Sequence, residues 1–321
     1  MDSVHYRAMQ SQYYRRLALA AALAALPGKP AAAQSVATST VLEDSVPSGV
    51  NFDKAQFRLW LPNTQGAVRG VLVLVPGSNG DGRSMAEDTV WQAFATRNKL
   101  AIVGCRFTDK PHDQGFIEEY VNVSKGSGQA LLDILGRFAK RAHHPELASA
   151  PLLFWGMSAG GQFDYEFAVW KPERVIAFVV NKGGIYYTAL TPRATRAVPA
   201  LLFIGGKDLE SRVNTITGLF ALNRRGGALW ALTEEPGAAH VVGRSRDLAI
   251  VFFDGVLPLR LDSSSTMLKP LDEKSGFVGD YHMKTISPIG ETALPGYPNA
   301  WLPTERVARA WQAVVSDRAF P

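Results

Sequence analysis

The stretch Leu152-Leu153-Phe154-Trp155-Gly156-Met157-Ser158-Ala159-Gly160-Gly161 decides the fold. It opens on an unbroken apolar run, the pattern of a strand buried on both faces. A serine with glycines two residues to either side follows, and residues 160–170 then read as a helix. A serine on such a strand-to-helix turn sits in a strained conformation, where side chains at the two glycine positions would collide with the neighbouring strand and helix. The helix that starts there directs its N-terminal amides at developing negative charge. Ser158 is therefore the candidate nucleophile.

Outward from this turn, short β-rich runs alternate with longer helical ones. Strands are predicted at 55–61, 71–75, 100–105, 152–155, 175–180, 200–204 and 228–232, and helices at 85–97, 129–141, 160–170, 213–223 and 244–253. The alternation predicts an α/β fold, with a mostly parallel central sheet and helices on both faces. Between Asn181 and Pro199 there is room for only a turn or a short helix, so the expected lid is minimal and the site open.

A serine hydroxyl needs a base, usually a histidine held by a carboxylate. Only His240 and His282 follow Ser158, and His240 comes just past the strand at 228–232, in a loop that ends at a helix. It is the preferred base; His282 lies in an irregular tail. Asp208 follows the strand at 200–204 through Gly205-Gly206-Lys207, which puts a carboxylate at the carboxyl edge of the sheet. Glu210, Glu234 and Glu235 are substitutes, whereas Asp164 and Asp254 read as solvated or helix-capping groups. Two amides are needed for a tetrahedral oxyanion. Ala159 supplies one, and the turn Pro76-Gly77-Ser78-Asn79-Gly80-Asp81-Gly82 the other, with Ser78 preferred and Asn79 second. Asn79, Tyr186 and Tyr187 are candidate substrate-binding residues, the tyrosines as walls of an acyl pocket.

Length and composition bound the class. The chain has 321 residues, 46% hydrophobic and 20% charged, and no stretch reaches the ~18 to 20 uninterrupted apolar residues of a membrane span. Residues 1–33 read as a signal peptide: Arg15-Arg16, the apolar run LALAAALAAL, then Ala31-Ala32-Ala33. Of the formal charge of +5, Arg7, Arg15, Arg16 and Lys29 against Asp2 account for +3, and the remainder has no basic run. No nucleic-acid partner is expected. Cys105 is the only cysteine, so an exported chain with no intrachain disulfide fits a bacterial periplasm or medium. The domains expected are a flexible polar joint at 34–50, a catalytic domain at 51–258, and a C-terminal extension at 259–321 packed on the same domain, with Tyr281, His282 and Trp301 as candidates to border the cleft.

Gly156-Met157-Ser158-Ala159-Gly160-Gly161, the Pro76-Gly77 turn, Asp208 and His240 together resemble the secreted polyhydroxybutyrate depolymerase-like and feruloyl esterase-like members of the α/β-hydrolase superfamily, over roughly residues 71–253. The resemblance implies the α/β-hydrolase fold, a Ser-Asp-His triad, and a small-molecule or polymeric ester substrate, with no metal or organic cofactor. In that group the oxyanion turn carries a His-Gly pair and a tryptophan often follows the catalytic histidine. Here Pro76-Gly77 and Val241-Val242 stand instead. The alternatives are a peptidase of the same fold and a non-catalytic binding protein on this scaffold.

Overall fold

The computed structural model describes residues 39–63, 66–114, 117–262, 267–290 and 299–321, and the expected signal peptide lies outside them. The central sheet is built from β1 (Thr40–Val46), β2 (Lys54–Leu61), β3 (Gly70–Val75), β4 (Leu100–Thr108), β5 (Leu152–Met157), β6 (Val175–Asn181), β7 (Ala200–Gly205) and β8 (Trp230–Glu235). Across the sheet their order is β1-β2-β4-β3-β5-β6-β7-β8. The β1/β2 and β2/β4 pairings are antiparallel and the other five are parallel. This is the α/β-hydrolase arrangement, and β5, which leads to Ser158, sits between β3 and β6.

The apolar runs of these strands feed two cores, because successive side chains point to opposite faces. Val71, Val73 and Val75 of β3, with Leu152 and Phe154 of β5, join one core. Leu72, Leu74, Leu153 and Trp155 join the other. Helices α2 (Ser127–Arg141) and α3 (Ala159–Trp170) cover the first face with Leu131, Leu135, Phe138, Phe163 and Phe167. Helix α1 (Thr89–Asn98) covers the second with Trp91 and Phe94. The connection after β6 holds only the four-residue helix α4 (Arg193–Arg196). Helix α5 (Glu210–Arg225) follows β7 on the first face, and α6 (Ser245–Arg260) follows β8 on the second.

The polar segment expected as a joint at 34–50 is a strand over Thr40–Val46. As an edge strand it needs few apolar residues, and it is pinned through side chains instead: Arg58 reaches Glu43, and Arg137 and Arg141 reach Asp44. Asp164 is also not solvated. It is fully buried in α3, both carboxylate oxygens lack a hydrogen-bond partner, and burial pushes its pKa well above the ordinary value. Asp254 lies within α6 rather than at its end and pairs with Arg97.

The C-terminal segment adds a small sheet of β9 (Phe277–Asp280), β10 (Thr285–Pro288) and β11 (Ala300–Leu302), and then α7 (Glu305–Val315). Trp311 of α7 is buried in the second core and its indole N–H donates to the Leu232 carbonyl of β8 at 2.8 Å. Among the described residues no helix is long and apolar enough to cross a membrane.

Candidate active site

The turn after β5 holds Ser158 at φ 54° and ψ −120°. A non-glycine residue there costs of order 1–3 kcal/mol, and the surrounding packing must enforce it. The flanking glycines show how tightly it does: a Cβ on Gly156 would overlap the Gly160 backbone, and one on Gly160 would overlap the Val75 carbonyl. The Ser158 amide donates to the Asn181 carbonyl at 2.8 Å, which ties the turn to the end of β6.

Three sequence candidates meet here. His240 Nε2 lies 3.0 Å from Ser158 Oγ, and its Nδ1 lies 2.9 Å from Asp208 Oδ2. Those partners assign the Nδ1–H tautomer, which leaves Nε2 as an acceptor for the serine proton. Asp208 is 2% exposed at its side chain, and its other oxygen accepts from the Leu209 amide at 2.7 Å and from Arg212 at 3.1 Å. Burial works to raise the Asp208 pKa, but the hydrogen bonds from His240, Leu209 and Arg212 outweigh it and hold the carboxyl below its ordinary value. The alternative residues lie elsewhere: Glu210 is exposed at the start of α5, Glu235 pairs with Lys182, Glu234 accepts from the Tyr281 hydroxyl, and His282 is exposed in the C-terminal segment.

The loop that carries His240 is anchored by contacts that the sequence did not show: Lys182 was not singled out, and Glu235 only as a substitute acid. Lys182, with no exposed side-chain surface, pairs with Glu235, which is 6% exposed, and also donates to Asn181 Oδ1 at 3.0 Å. Glu235 in turn accepts from the Arg244 amide at 2.6 Å. Asn181 Nδ2 donates to the Val242 carbonyl at 3.1 Å. Asn181 thus touches both the Ser158 turn and the His240 loop, one through its backbone and one through its side chain. Gly243, at φ 55°, leaves the space that the Glu235 carboxylate occupies. A polar pair, Asn181-Lys182, directly after the apolar run of β6 was the available signal.

For the oxyanion donors, Ala159 is the first residue of α3, where a helix amide has no intrahelical partner. The Asn79 amide donates to the Tyr120 hydroxyl at 3.3 Å, and Asn79 Oδ1 accepts from the Asp109 amide. The Ser78 amide makes no such bond among the described residues, and Ser78 borders the same cavity as Ser158. That cavity is about 960 Å³ and is lined by Ser158 and His240 together with Gln162, Ile185, Arg212 and Glu118. Asn79 borders a smaller neighbouring cavity of about 410 Å³, which shares Ser78 and Glu118 with the first.

Tyr186 and Tyr187 do not line the cavity; Gly184 and Ile185 of the same loop do. The Tyr186 ring turns inward and packs edge-on to Tyr165 at 4.9 Å, while Tyr187 is 46% exposed. Tyr281, His282 and Trp301 are likewise absent from its lining, and Trp301 is buried in β11. No group of acidic, histidine or cysteine side chains that could hold a metal ion occurs among the described residues.

No family model matches the chain, and no curated protein matches it. Solved structures do. A poly(3-hydroxybutyrate) depolymerase from Bordetella parapertussis is 17% identical, covers 71% of this chain and 92% of its own, and superposes with a TM-score of 0.48. A ferulic acid esterase is 14% identical, covers 64% of this chain and 92% of its own, and superposes at 0.46. A poly(aspartic acid) hydrolase-1 from Sphingomonas sp. KT-1, 14% identical, covers 66% of this chain and 96% of its own, also at 0.46. The chain is similar to these proteins in fold.

Proposed function

We propose that the chain is an exported serine hydrolase that cleaves carboxylic esters through an acyl-enzyme. The observation that carries this reading is the unbroken hydrogen-bonded line Ser158–His240–Asp208, at 3.0 Å and 2.9 Å, opening into a cavity of about 960 Å³. Ser158 Oγ attacks the ester carbonyl as His240 Nε2 takes its proton, and Asp208 stabilises the imidazolium that results. The oxyanion is held by the amides of Ala159 and Ser78. Collapse of the tetrahedral intermediate expels the alcohol, which takes the proton from His240. Water then enters by the same route and releases the acid.

Among the described residues the connection after β6 supplies no helical lid beyond the four-residue α4, which favours short acyl groups and tolerates bulky alcohols. Export to a bacterial periplasm or medium follows from the basic, apolar and small-residue pattern of residues 1–33. The decisive test is labelling with a fluorophosphonate probe. The native protein should be labelled and should turn over p-nitrophenyl acetate, Ser158→Ala should do neither, and a p-nitroanilide counterpart should be a far poorer substrate. Native protein that is neither labelled nor active would remove the proposal.

A further inference from the structure

Two backbone bonds tie the turn that carries Asp208 to the loop that carries His240. The Gly206 amide donates to the Glu235 carbonyl and the Lys207 amide to the Ala238 carbonyl, both at 2.9 Å. They hold the two segments in register, but they leave free the plane of the Asp208 carboxylate, because a terminal sp³–sp² torsion has a broad, shallow profile. That plane decides whether Oδ2 meets His240 Nδ1. With Oδ2 given to the imidazole, only bonds to Oδ1 can hold it. Among the described residues Oδ1 has two donors, the Leu209 amide at 2.7 Å and Arg212 Nη1 at 3.1 Å. The amide belongs to the next residue in the chain and moves with the turn. Arg212 reaches in from α5, which packs on the first core through Ile216, Leu219 and Phe220, so its bond refers the carboxylate to the body of the fold.

Arg212 is itself held. Its amide donates to the Leu209 carbonyl at 3.0 Å, and its side chain runs along Gly184, where a Cβ would stand 3.6 Å from Arg212 Cγ and 3.5 Å from Nε. The side chain is 29% exposed and borders the main cavity, whose other charged residue besides His240 is Glu118. We infer that Arg212 is a positioning residue of the triad: its guanidinium fixes the plane of the Asp208 carboxylate, and through it the tautomer and ring orientation of His240. The inference rests on the serine-hydrolase reading and adds a residue to the machinery which that reading names. Its importance follows from what the acid does, since a triad whose carboxylate no longer directs the imidazole loses most of its rate.

Turnover of p-nitrophenyl acetate by the native protein, Arg212→Ala and Arg212→Lys tests it. Arg212→Ala should lower kcat by about tenfold or more, the scale of one charge-assisted hydrogen bond, and change KM by less than about threefold. Arg212→Lys, which keeps a cationic donor, should retain at least about three times the kcat of Arg212→Ala. Guanidinium chloride at about 20 mM, far below the molar range in which it unfolds proteins, should raise kcat of Arg212→Ala by about threefold or more, while sodium chloride at the same concentration should not. A merely structural loss would not be repaired by a free guanidinium ion. A kcat for Arg212→Ala within about twofold of native overturns the inference, and so does a loss that neither lysine nor guanidinium repairs. A change confined to KM, larger for the anion monomethyl succinate than for the neutral methyl pentanoate, would make Arg212 a substrate anchor and likewise overturn it. The rate at which a fluorophosphonate probe labels Ser158 should follow the same order, native above Arg212→Lys above Arg212→Ala, and it needs no ester. Native protein that is labelled but cleaves no ester therefore fails the ester reading alone, and the labelling rates still decide the role of Arg212.

Discussion

Replacing Lys182 by methionine should unfold the protein more readily than any change to the half-buried His240. Lys182 has no exposed side-chain surface and makes two charge-assisted contacts, to Glu235 and to Asn181. Each such bond is worth ~1.5 to 3 kcal/mol, so losing both removes about 3 to 6 kcal/mol. The independent figure for stripping one partner from a buried ion pair is about 3 to 5 kcal/mol, because the carboxylate left behind is unpaired and dehydrated. For a chain of this size that corresponds to a fall in Tm of about 5 to 10 °C. Glu235→Gln alone should also destabilise, since it leaves the ammonium buried without its counter-charge. Lys182→Met/Glu235→Gln removes both charges and retains an acceptor for the Arg244 amide. It should recover most of the loss, with a coupling of at least about 2 kcal/mol between the sites. Thermal or urea unfolding of the four proteins reads this cycle. Single variants that cost under about 1 kcal/mol, or costs that simply add, would refute the view that this pair anchors the base loop.

His240→Ala should lower kcat by several orders of magnitude, as loss of a triad base does, while His282→Ala should cost less than about tenfold; ester turnover by the purified variants checks both. Asp164 binds a proton in the folded state at pH values where it is ionised in the unfolded chain, so its contribution to stability is full below its unfolded pKa and declines as pH rises toward the folded one. Asp164→Asn should therefore raise Tm at pH 8 relative to the native protein, and this gain should vanish near pH 3; an equal effect at both pH values would sink the argument. On p-nitrophenyl esters, kcat/KM should peak at about two to four acyl carbons, since without a lid there is little wall to reward each further methylene with its ~0.8 kcal/mol; an optimum at about ten carbons or more would contradict this. Mass spectrometry of the protein recovered from the periplasm or medium should show an amino terminus near Gln34, and an intact Met1 there would contradict export with cleavage.

The residues that carry local information were legible from the chain alone. A buried parallel strand needs a continuous apolar run, so β3, β5, β6 and β7 announce themselves, and a strained turn needs bare glycines, so Gly156 and Gly160 frame Ser158 without reference to any neighbour. Asp208 and His240 could be singled out as candidates because each follows such a strand at the same edge of the sheet. What escaped depends on partners distant in sequence. The edge strand β1 looks like a polar linker because its stability comes from pairing with β2 and from arginines on α2. Asp164 looks like any surface carboxylate of a helix until the packing of α3 against the sheet buries it. Tyr186 was placed on the right loop, yet whether its ring faces the cavity or the core is set by Tyr165, a residue of a different element. Lys182 gains its meaning, and Glu235 a different one from the acid it was read as, only when β6 and β8 come together, because an ion pair is a relation between groups and no single position in a sequence contains it.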